Sequence, residues 1–174
     1  LYQEKNVGCD PSEYIAQKWA FDHVDRCIIL EDDDVADQSF FPYCKELLER
    51  YKDDERIAMI CGMNHLGRWS PDGNSYFFSD TGPIWGWATW KRGWDIFNPD
   101  AQTLMNSILH SRTLRKRFTY NGSYPYLEML QSQIDGKIDS WAIRWYASAV
   151  IKERLCLYPS RSLVQNIGFG DGTH

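Results

Sequence analysis

The first third of the chain alternates two amphipathic helical segments with two short apolar runs, and this alternation constrains the fold most. Apolar residues recur at helical spacing over residues 10–24 and 38–51. Residues 27–30 and 57–61 are continuous apolar runs of strand length. Such runs are typical of strands that are buried on both faces of a parallel or mixed sheet. The order helix, strand, helix, strand therefore predicts an α/β fold with helices flanking the sheet.

The remainder of the chain predicts further helices and short strands within a single domain of residues 1–174. Residues 62–75 are rich in Gly, Asn, Ser, Pro and Asp and predict a loop. Strands are predicted over residues 76–79 and 155–158, and helices over 88–94, 101–118, 124–135 and 140–152. No repeat, low-complexity tract or linker interrupts this pattern.

Charge and composition argue against two classes of protein. The chain carries 19 basic and 24 acidic residues, a net charge of −5, whereas nucleic-acid-binding proteins present a basic surface. No apolar run approaches the roughly 20 residues of a membrane-spanning helix. The five cysteines, odd in number and without close pairs, predict free thiols in a reducing compartment. The first residues do not predict a signal peptide, and because Leu1 is not a start Met we expect further chain before it.

Four consecutive acidic residues, Glu31, Asp32, Asp33 and Asp34, follow the first apolar run directly. Adjacent carboxylates repel one another, and a divalent cation relieves that repulsion. Carboxylates together with water and substrate phosphates suit Mg²⁺ or Mn²⁺. Ligands of open α/β sheets bind beyond the carboxyl ends of strands, which is where these acids lie. The sequence therefore favours a metal site over the alternative, a solvated acidic turn that caps the helix beginning near Gln38.

Four tryptophans lie within residues 82–94. Trp87, Trp90 and Trp94 recur at helical spacing and are expected in the core. Trp85 and Gly86 precede that segment in a loop, where an indole face can stack on a sugar and a glycine lets a ligand approach the backbone. Core packing is the more common use of such tryptophans, so the pattern alone leaves both interpretations of Trp85 open.

Two isolated residues have competing interpretations. Asp139 precedes the helix predicted from Ser140, and an Asp in this position usually caps the helix. The same carboxylate suits a general base that takes a proton from an attacking hydroxyl, and the two roles are compatible. His174 follows a Gly-rich tail, where a terminal His is usually a surface residue and less often a metal or phosphate ligand.

Taken together, these segments resemble the glycosyltransferases of the GT-A fold, above all the N-acetylglucosaminyltransferase I type and its bacterial relatives in polysaccharide synthesis. The matching segments occur in the family's order: residues 29–33 with Phe40 and Phe41; Pro83, Gly86, Trp87 and Trp94; residues 139–141; and Phe169, Gly170 and His174. The family's first strands, which hold the nucleotide base, would precede residue 1. Ser140 stands where the family has a second Asp, and Asp34 stands where it has an apolar residue.

The resemblance implies a metal-dependent, inverting transferase. It would move a sugar from a nucleotide-diphosphate donor, above all a UDP-sugar, to a hydroxyl of a glycan or lipid-linked acceptor. Mn²⁺ or Mg²⁺ would be bound by Asp33, with Asp34 and His174 as further candidate ligands near the diphosphate. Asp139 would be the catalytic base. The donor would be contacted by Glu31, Asp32, Trp85, Gly86 and Trp87.

The resemblance also implies a bacterial, cytoplasmic protein, at the inner face of the membrane. Two other functions stay open on the residues alone. A metal-dependent nucleotidyltransferase would need a Gly-rich phosphate loop, which residues 1–12 do not contain. A non-catalytic carbohydrate-binding module would use the tryptophans as sugar platforms and the acids as a Ca²⁺ site. A further alternative is that the chain has the fold without the activity, because its nucleotide pocket is incomplete.

Overall fold

The computed structural model describes residues 3–168, which form a mixed α/β structure, as the alternation of segments predicts. The density of internal contacts divides the chain into two compact units. Within the described residues, a helical unit comprises residues 3–24 and 95–154, and a sheet unit comprises residues 25–94 and 155–168. That residues 1–174 form one domain stays a prediction.

The sheet unit contains a five-stranded sheet and a separate two-stranded ribbon. Its strands are β1 (Arg26–Ile29), β2 (Asp34–Ala36), β3 (Ile57–Cys61), β4 (Tyr76–Ser79), β5 (Trp87–Trp90), β6 (Leu155–Pro159) and β7 (Val164–Asn166). The sheet has the order β1-β5-β3-β6-β4, in which only β3 and β6 are parallel neighbours. Strands β2 and β7 pair antiparallel as the ribbon. The predicted mixed sheet with flanking helices is therefore confirmed.

The core of the sheet unit lies between β3 and helix α2 (Phe40–Arg50). All five residues of β3 are buried, as its apolar run predicts. Helix α2 turns Phe40, Cys44, Leu47 and Leu48 inward, and these residues recur at helical spacing. The predicted helix over residues 38–51 and the predicted strand over 57–61 are thus confirmed.

Two predictions about strands were wrong. Strand β1 was expected to be buried on both faces, but within residues 3–168 it lies at the edge of the sheet with β5 as its one strand partner, and it has no fully buried residue. Residues 88–94 were expected to be helical, but Trp87–Trp90 is strand β5 and only Lys91–Trp94 forms a short helix, α3. Strand β5 is central in the sheet and wholly buried, and this burial overrides the helical spacing of its tryptophans.

The helical unit consists of α1 (Cys9–Phe21), α4 (Ala101–Leu109), α5 (Arg112–Phe118), α6 (Tyr126–Ile134) and α7 (Trp141–Ile151), with a 3-10 turn at Tyr120–Gly122. The helix predicted over residues 101–118 is two helices. The chain is extended at Ser111, whose side chain accepts the backbone N–H of Leu114 and so caps α5. Ile108, Phe118, Leu130 and Val150 are fully buried in the core between these helices.

The five cysteines are all free thiols, as predicted, and Cys44, Cys61 and Cys156 are buried. No helix within residues 3–168 is long and apolar enough to cross a membrane. The expected cytoplasmic location stays a prediction.

Candidate functional site

The acidic residues after β1 form a tight turn that leads into β2. The backbone N–H of Asp34 donates to the Glu31 carbonyl (3.1 Å), and the backbone N–H of Glu31 donates back to Asp34 Oδ2 (3.0 Å). These reciprocal bonds fix the turn locally. The alternative in which the acids cap α2 is wrong, because the N-cap of α2 is Ser39.

Asp34 also connects this turn to the loop before β5. The backbone N–H of Gly86 donates to Asp34 Oδ2 (2.7 Å), so this one oxygen accepts two backbone donors. Burial raises the pKa of the Asp34 carboxyl, the N–H groups of Glu31 and Gly86 counteract the rise, and the neighbouring Asp33 charge adds to it. The other oxygen, Oδ1, is buried and has no hydrogen bond of good geometry within the described part of the chain, although the nearby Asn166 side chain also lowers the pKa of this carboxyl.

Asp33 is held by the chain that follows β7. Its Oδ1 accepts the side-chain N–H of Asn166 (2.8 Å), and its carbonyl accepts the backbone N–H of Ile167 (2.9 Å). The backbone N–H of Gly168 in turn donates to Asn166 Oδ1 (2.9 Å). A Cβ atom at Gly168 would overlap Asp33 Oδ2, so only glycine permits this approach. Sequence reasoning missed Asn166 and Gly168, and the only signal was a Gly-rich segment near the C-terminus.

The loop of Trp85 and Gly86 lies close to the ribbon. Gly86 has a φ of 59°, and a Cβ atom there would come within 2.5 Å of Val164 Cγ2 in β7. A glycine is therefore needed both for the backbone conformation and for the close packing. The Trp85 ring is half-buried and meets His65 edge-on, with ring centroids 6.3 Å apart.

The predicted site residues do not all lie in one unit. The sheet unit brings together Glu31, Asp33, Asp34 and Gly86, with Asp32 exposed at the turn. Trp87 belongs to the same unit, but its side chain is fully buried in β5, so its predicted contact with a donor stays a prediction.

Asp139 lies in the helical unit. His174 and the neighbouring tail residues Phe169 and Gly170 lie outside the described residues.

Asp139 does not cap α7, so the capping interpretation is wrong. The helix begins at Trp141, and its N-cap, Ser140, is without a side-chain capping bond. Asp139 Oδ2 instead faces the start of α1, where it accepts the backbone N–H of Asp10 in a long hydrogen bond (3.4 Å). The carboxylate therefore anchors one helix to the segment that precedes another.

A buried polar cluster surrounds this contact. Asp10 is only 5% exposed, and its Oδ1 forms an ion pair with Arg144. Its Oδ2 accepts the side-chain N–H of Gln133 (3.1 Å), whose own oxygen accepts the Ser140 N–H (2.7 Å). Burial raises the pKa of the Asp10 carboxyl, the Arg144 charge counteracts the rise, and the Asp139 charge adds to it. Asp10 is thus a buried partner of Arg144.

The acids of the sheet unit fit a magnesium-type or manganese-type site with few protein ligands. No group of three or more His, Cys, Asp or Glu side chains is placed to hold a metal within residues 3–168. Mg²⁺, however, is commonly bound through one or two carboxylates, with water and substrate phosphates completing its shell. Asp33 and Asp34 supply such a pair of adjacent carboxylates.

An open cavity of about 530 Å³ lies beside the ribbon in the sheet unit. Its lining includes Ala36 of β2, Val164 of β7 and His65, the ring partner of Trp85. This volume lies in the range of small-molecule sites. The sheet unit therefore offers space for a ligand next to the Trp85 loop.

No protein-family profile matches the chain, and no curated protein sequence matches it significantly. The functional argument therefore rests on the residues and geometry of the chain itself.

Proposed function

We propose that the chain is a metal-dependent glycosyltransferase of the GT-A fold. It would transfer a sugar from a nucleotide-diphosphate donor to a hydroxyl of a glycan or lipid-linked acceptor. The observation that carries the proposal is the turn after β1, where two adjacent carboxylates are held by hydrogen bonds from distant parts of the sheet unit. Gly86 fixes Asp34 and Asn166 fixes Asp33.

The hydrogen bonds distinguish the two carboxylates. Asp34 uses Oδ2 to hold the turn and the Gly86 loop, so we assign it a positioning role. Within residues 3–168, Asp33 accepts a side-chain hydrogen bond at Oδ1 alone, and the residue against Oδ2 is Gly168, which has no side chain, so we assign Asp33 as the metal ligand. A bound divalent cation would neutralise the charge that develops on the diphosphate as it leaves.

The acceptor hydroxyl must lose a proton as it attacks the anomeric carbon. By resemblance Asp139 is the base, and the N–H of Asp10 holds one of its oxygens in place while the other can accept the proton. Direct displacement inverts the anomeric centre and needs one base. It does not need the pair of flanking carboxylates that glycoside hydrolases use.

We expect Mn²⁺-dependent binding of UDP that is lost in Asp33→Asn. The loss should be at least about 100-fold in affinity, because even the outer-shell partners of a metal ligand contribute 10–100-fold. Titration calorimetry with and without Mn²⁺ measures this, on the chain as it stands and on a form extended at its N-terminus. Asp34→Asn should weaken binding less, and Asp53→Asn, an exposed acid of the same unit, serves as the matched control.

Three results would contradict this assignment. UDP binding that does not depend on metal would exclude a metal-binding role for the acidic residues. An unchanged UDP affinity in Asp33→Asn would exclude Asp33 as the metal ligand. No UDP binding by either form in the presence of metal would exclude the UDP-sugar donor. Binding by the extended form alone would place part of the nucleotide pocket ahead of residue 1.

We expect Asp139→Asn to lower kcat for sugar transfer by about 10²–10⁴-fold, the usual contribution of a general base. The Mn²⁺-dependent affinity for UDP should stay the same, because Asp139 acts on the acceptor. Asp135→Asn, a surface carboxylate paired with Lys137 in the same unit, is the control and should retain full activity. An unchanged kcat in Asp139→Asn would exclude Asp139 as the base, whereas sugar binding without any transfer by the wild-type chain would favour a binding module.

A further inference from the structure

The turn between α5 and α6 has three consecutive residues in the left-handed region of backbone conformation. They are Tyr120, Asn121 and Gly122, with φ of 48°, 57° and 87°. Glycine and asparagine adopt this region readily, but for a bulky residue such as tyrosine it is unfavourable. Strained backbone of this kind persists where the surroundings hold it, and it is concentrated at binding sites.

Thr119 holds the turn in this conformation. Its hydroxyl donates to the Arg115 carbonyl (2.9 Å) and accepts the backbone N–H of Gly122 (3.0 Å). Its carbonyl accepts the backbone N–H groups of Gly122 (2.9 Å) and Tyr124 (3.2 Å). The Tyr120 ring stacks on that of Tyr146, with centroids 6.5 Å apart and planes 15° apart. The turn is therefore a fixed part of the helical unit.

An open groove of about 510 Å³ runs along this turn, a volume in the range of ligand sites. The side chains that line it and carry the argument are Arg115, Lys116, Asn121, Ser123, Tyr124 and Glu128. All six are exposed to solvent.

The two basic side chains of the groove are not neutralised within residues 3–168. Neither Arg115 nor Lys116 forms an ion pair there, whereas the adjacent Arg117 pairs with Glu153 (3.0 Å). The chain as a whole carries a net charge of −5, so two cations without an ion-pair partner form a local positive patch that attracts an anion. Arginine in particular binds carboxylates and phosphates through paired hydrogen bonds.

The remaining side chains favour a sugar over an extended polyanion. Tyr124 is 51% exposed and rests on the Tyr126 ring at a centroid distance of 4.4 Å, which supports an aromatic surface for stacking. Asn121 and Ser123 can both donate to and accept from hydroxyl groups. Glu128 can accept from hydroxyl groups, and its charge opposes a continuous polyanion such as an anionic membrane or a nucleic-acid backbone, which cannot turn its charges away as a ligand with one anionic group can.

We infer that this groove, lined by Arg115, Lys116 and Tyr124, binds an anionic saccharide, a sugar that carries a carboxylate or a phosphate. Arg115 and Lys116 bind the anionic group, Tyr124 packs on the sugar ring, and Asn121, Ser123 and Glu128 bind its hydroxyls. The site lies wholly within the helical unit and does not depend on the transferase proposal.

Titration of the chain with matched sugars tests this site, followed by NMR because binding is expected to be weak. The probes are cellobiouronic acid against cellobiose, glucose 6-phosphate against glucose, and inorganic phosphate. We expect each anionic sugar to bind at least about tenfold more tightly than its neutral counterpart, and its affinity to fall as salt is added. The difference between the two anionic sugars identifies the preferred anionic group.

Three variants locate the binding. Arg115→Gln with Lys116→Gln should remove the preference for the anionic sugar. Arg112→Gln with Lys45→Gln removes the same charges from exposed positions outside the groove and should have no effect. Tyr124→Ala should weaken sugar binding and leave phosphate binding unchanged. Circular dichroism verifies that each variant is folded.

Several outcomes would overturn the inference. The acidic and neutral sugars could bind with equal affinity, or inorganic phosphate could bind as tightly as the anionic sugars. The two double variants could have equal effects, or no sugar could bind at millimolar concentration. Binding to phosphatidylglycerol-containing vesicles, but not to the sugars, would instead assign the groove to a membrane surface.

Discussion

Arg144→Met is expected to lower the free energy of unfolding by about 3–5 kcal/mol at neutral pH, the usual effect of removing one partner of a buried ion pair. Arg144 is the cation next to the Asp10 carboxylate, and both side chains are nearly inaccessible, at 13% and 7% exposure. Arg144 also donates to the Pro99 carbonyl (3.0 Å). Without it, Asp10 would be a buried charge whose remaining side-chain partner among the described residues is the neutral Gln133.

The size of this effect should depend on pH. Burial raises the folded-state pKa of Asp10 above its ordinary value of 3.8, and Arg144 is the strongest influence that lowers it, so its loss raises the pKa further. A carboxyl whose pKa is raised by folding contributes stability below its ordinary pKa, and this stability is lost as the pH rises through the folded value. The deficit of Arg144→Met should therefore be smallest near pH 4 and should grow towards neutral pH.

Denaturant unfolding of both proteins across this pH range measures the deficit. Asp10→Asn combined with Arg144→Met should recover part of the lost stability, because no charge is then left unpaired. Glu49→Gln removes solvent-exposed ion pairs with Arg26 and Lys52 and should change stability far less. A deficit that is independent of pH and is not reduced in the double variant would mean that lost packing, rather than the unpaired charge, destabilises the protein.

The local sequence pattern predicted an element correctly where the burial and the periodicity of its residues agree. Strand β3 is five consecutive apolar residues and is buried throughout, and α2 shows its apolar face at helical spacing. Strand β1 shows the limit of this reasoning, because an apolar run cannot distinguish a central strand from an edge strand. That distinction depends on which distant segments pair, here Cys27 opposite Thr89. The ribbon strands escaped prediction because each has three residues, and Asp34 and Asn166 are of types uncommon in strands.

In the candidate site, too, some features follow from neighbouring residues and others depend on residues far away in the sequence. The acidic run was visible as a cluster of charge, but the different roles of Asp33 and Asp34 depend on donors from Asn166 and Gly86. Asp10 begins the segment Asp-Pro-Ser-Glu, a typical start of a helix in which the Asp side chain caps the helix. Its carboxylate faces Arg144 instead, a partner that no local pattern indicates.

Gly86→Ala is expected to lower the free energy of unfolding by about 2–4 kcal/mol. Of this, about 1 kcal/mol comes from placing a side chain at a φ of 59°, and about 1–3 kcal/mol from overpacking. The new methyl group would lie 2.5 and 2.8 Å from the two γ-carbons of Val164, which is buried in β7. Because the Gly86 N–H also holds Asp34 Oδ2, the shift should weaken Mn²⁺-dependent UDP binding as well.

Two companion variants separate strain from overpacking. Gly73→Ala adds a side chain at a φ of 75° with no atom within 4 Å, so it should cost only the conformational part, about 1 kcal/mol. Val164→Ala should destabilise the wild-type protein by leaving a cavity, but it should cost much less in the Gly86→Ala background, because it removes the two closest contacts.

Denaturant unfolding of the four members of this cycle gives the coupling energy between Gly86 and Val164, expected at about 0.5–3 kcal/mol. Additive effects would mean that β7 does not pack on the Gly86 loop. If Gly86→Ala destabilises the protein but leaves Mn²⁺-dependent UDP affinity intact, the Asp34–Gly86 bond is structural only, and Asp33 with Asn166 is sufficient for the metal site. If both properties fall together and both recover with Val164→Ala, the packing of one glycine against β7 positions the carboxylates of the donor site.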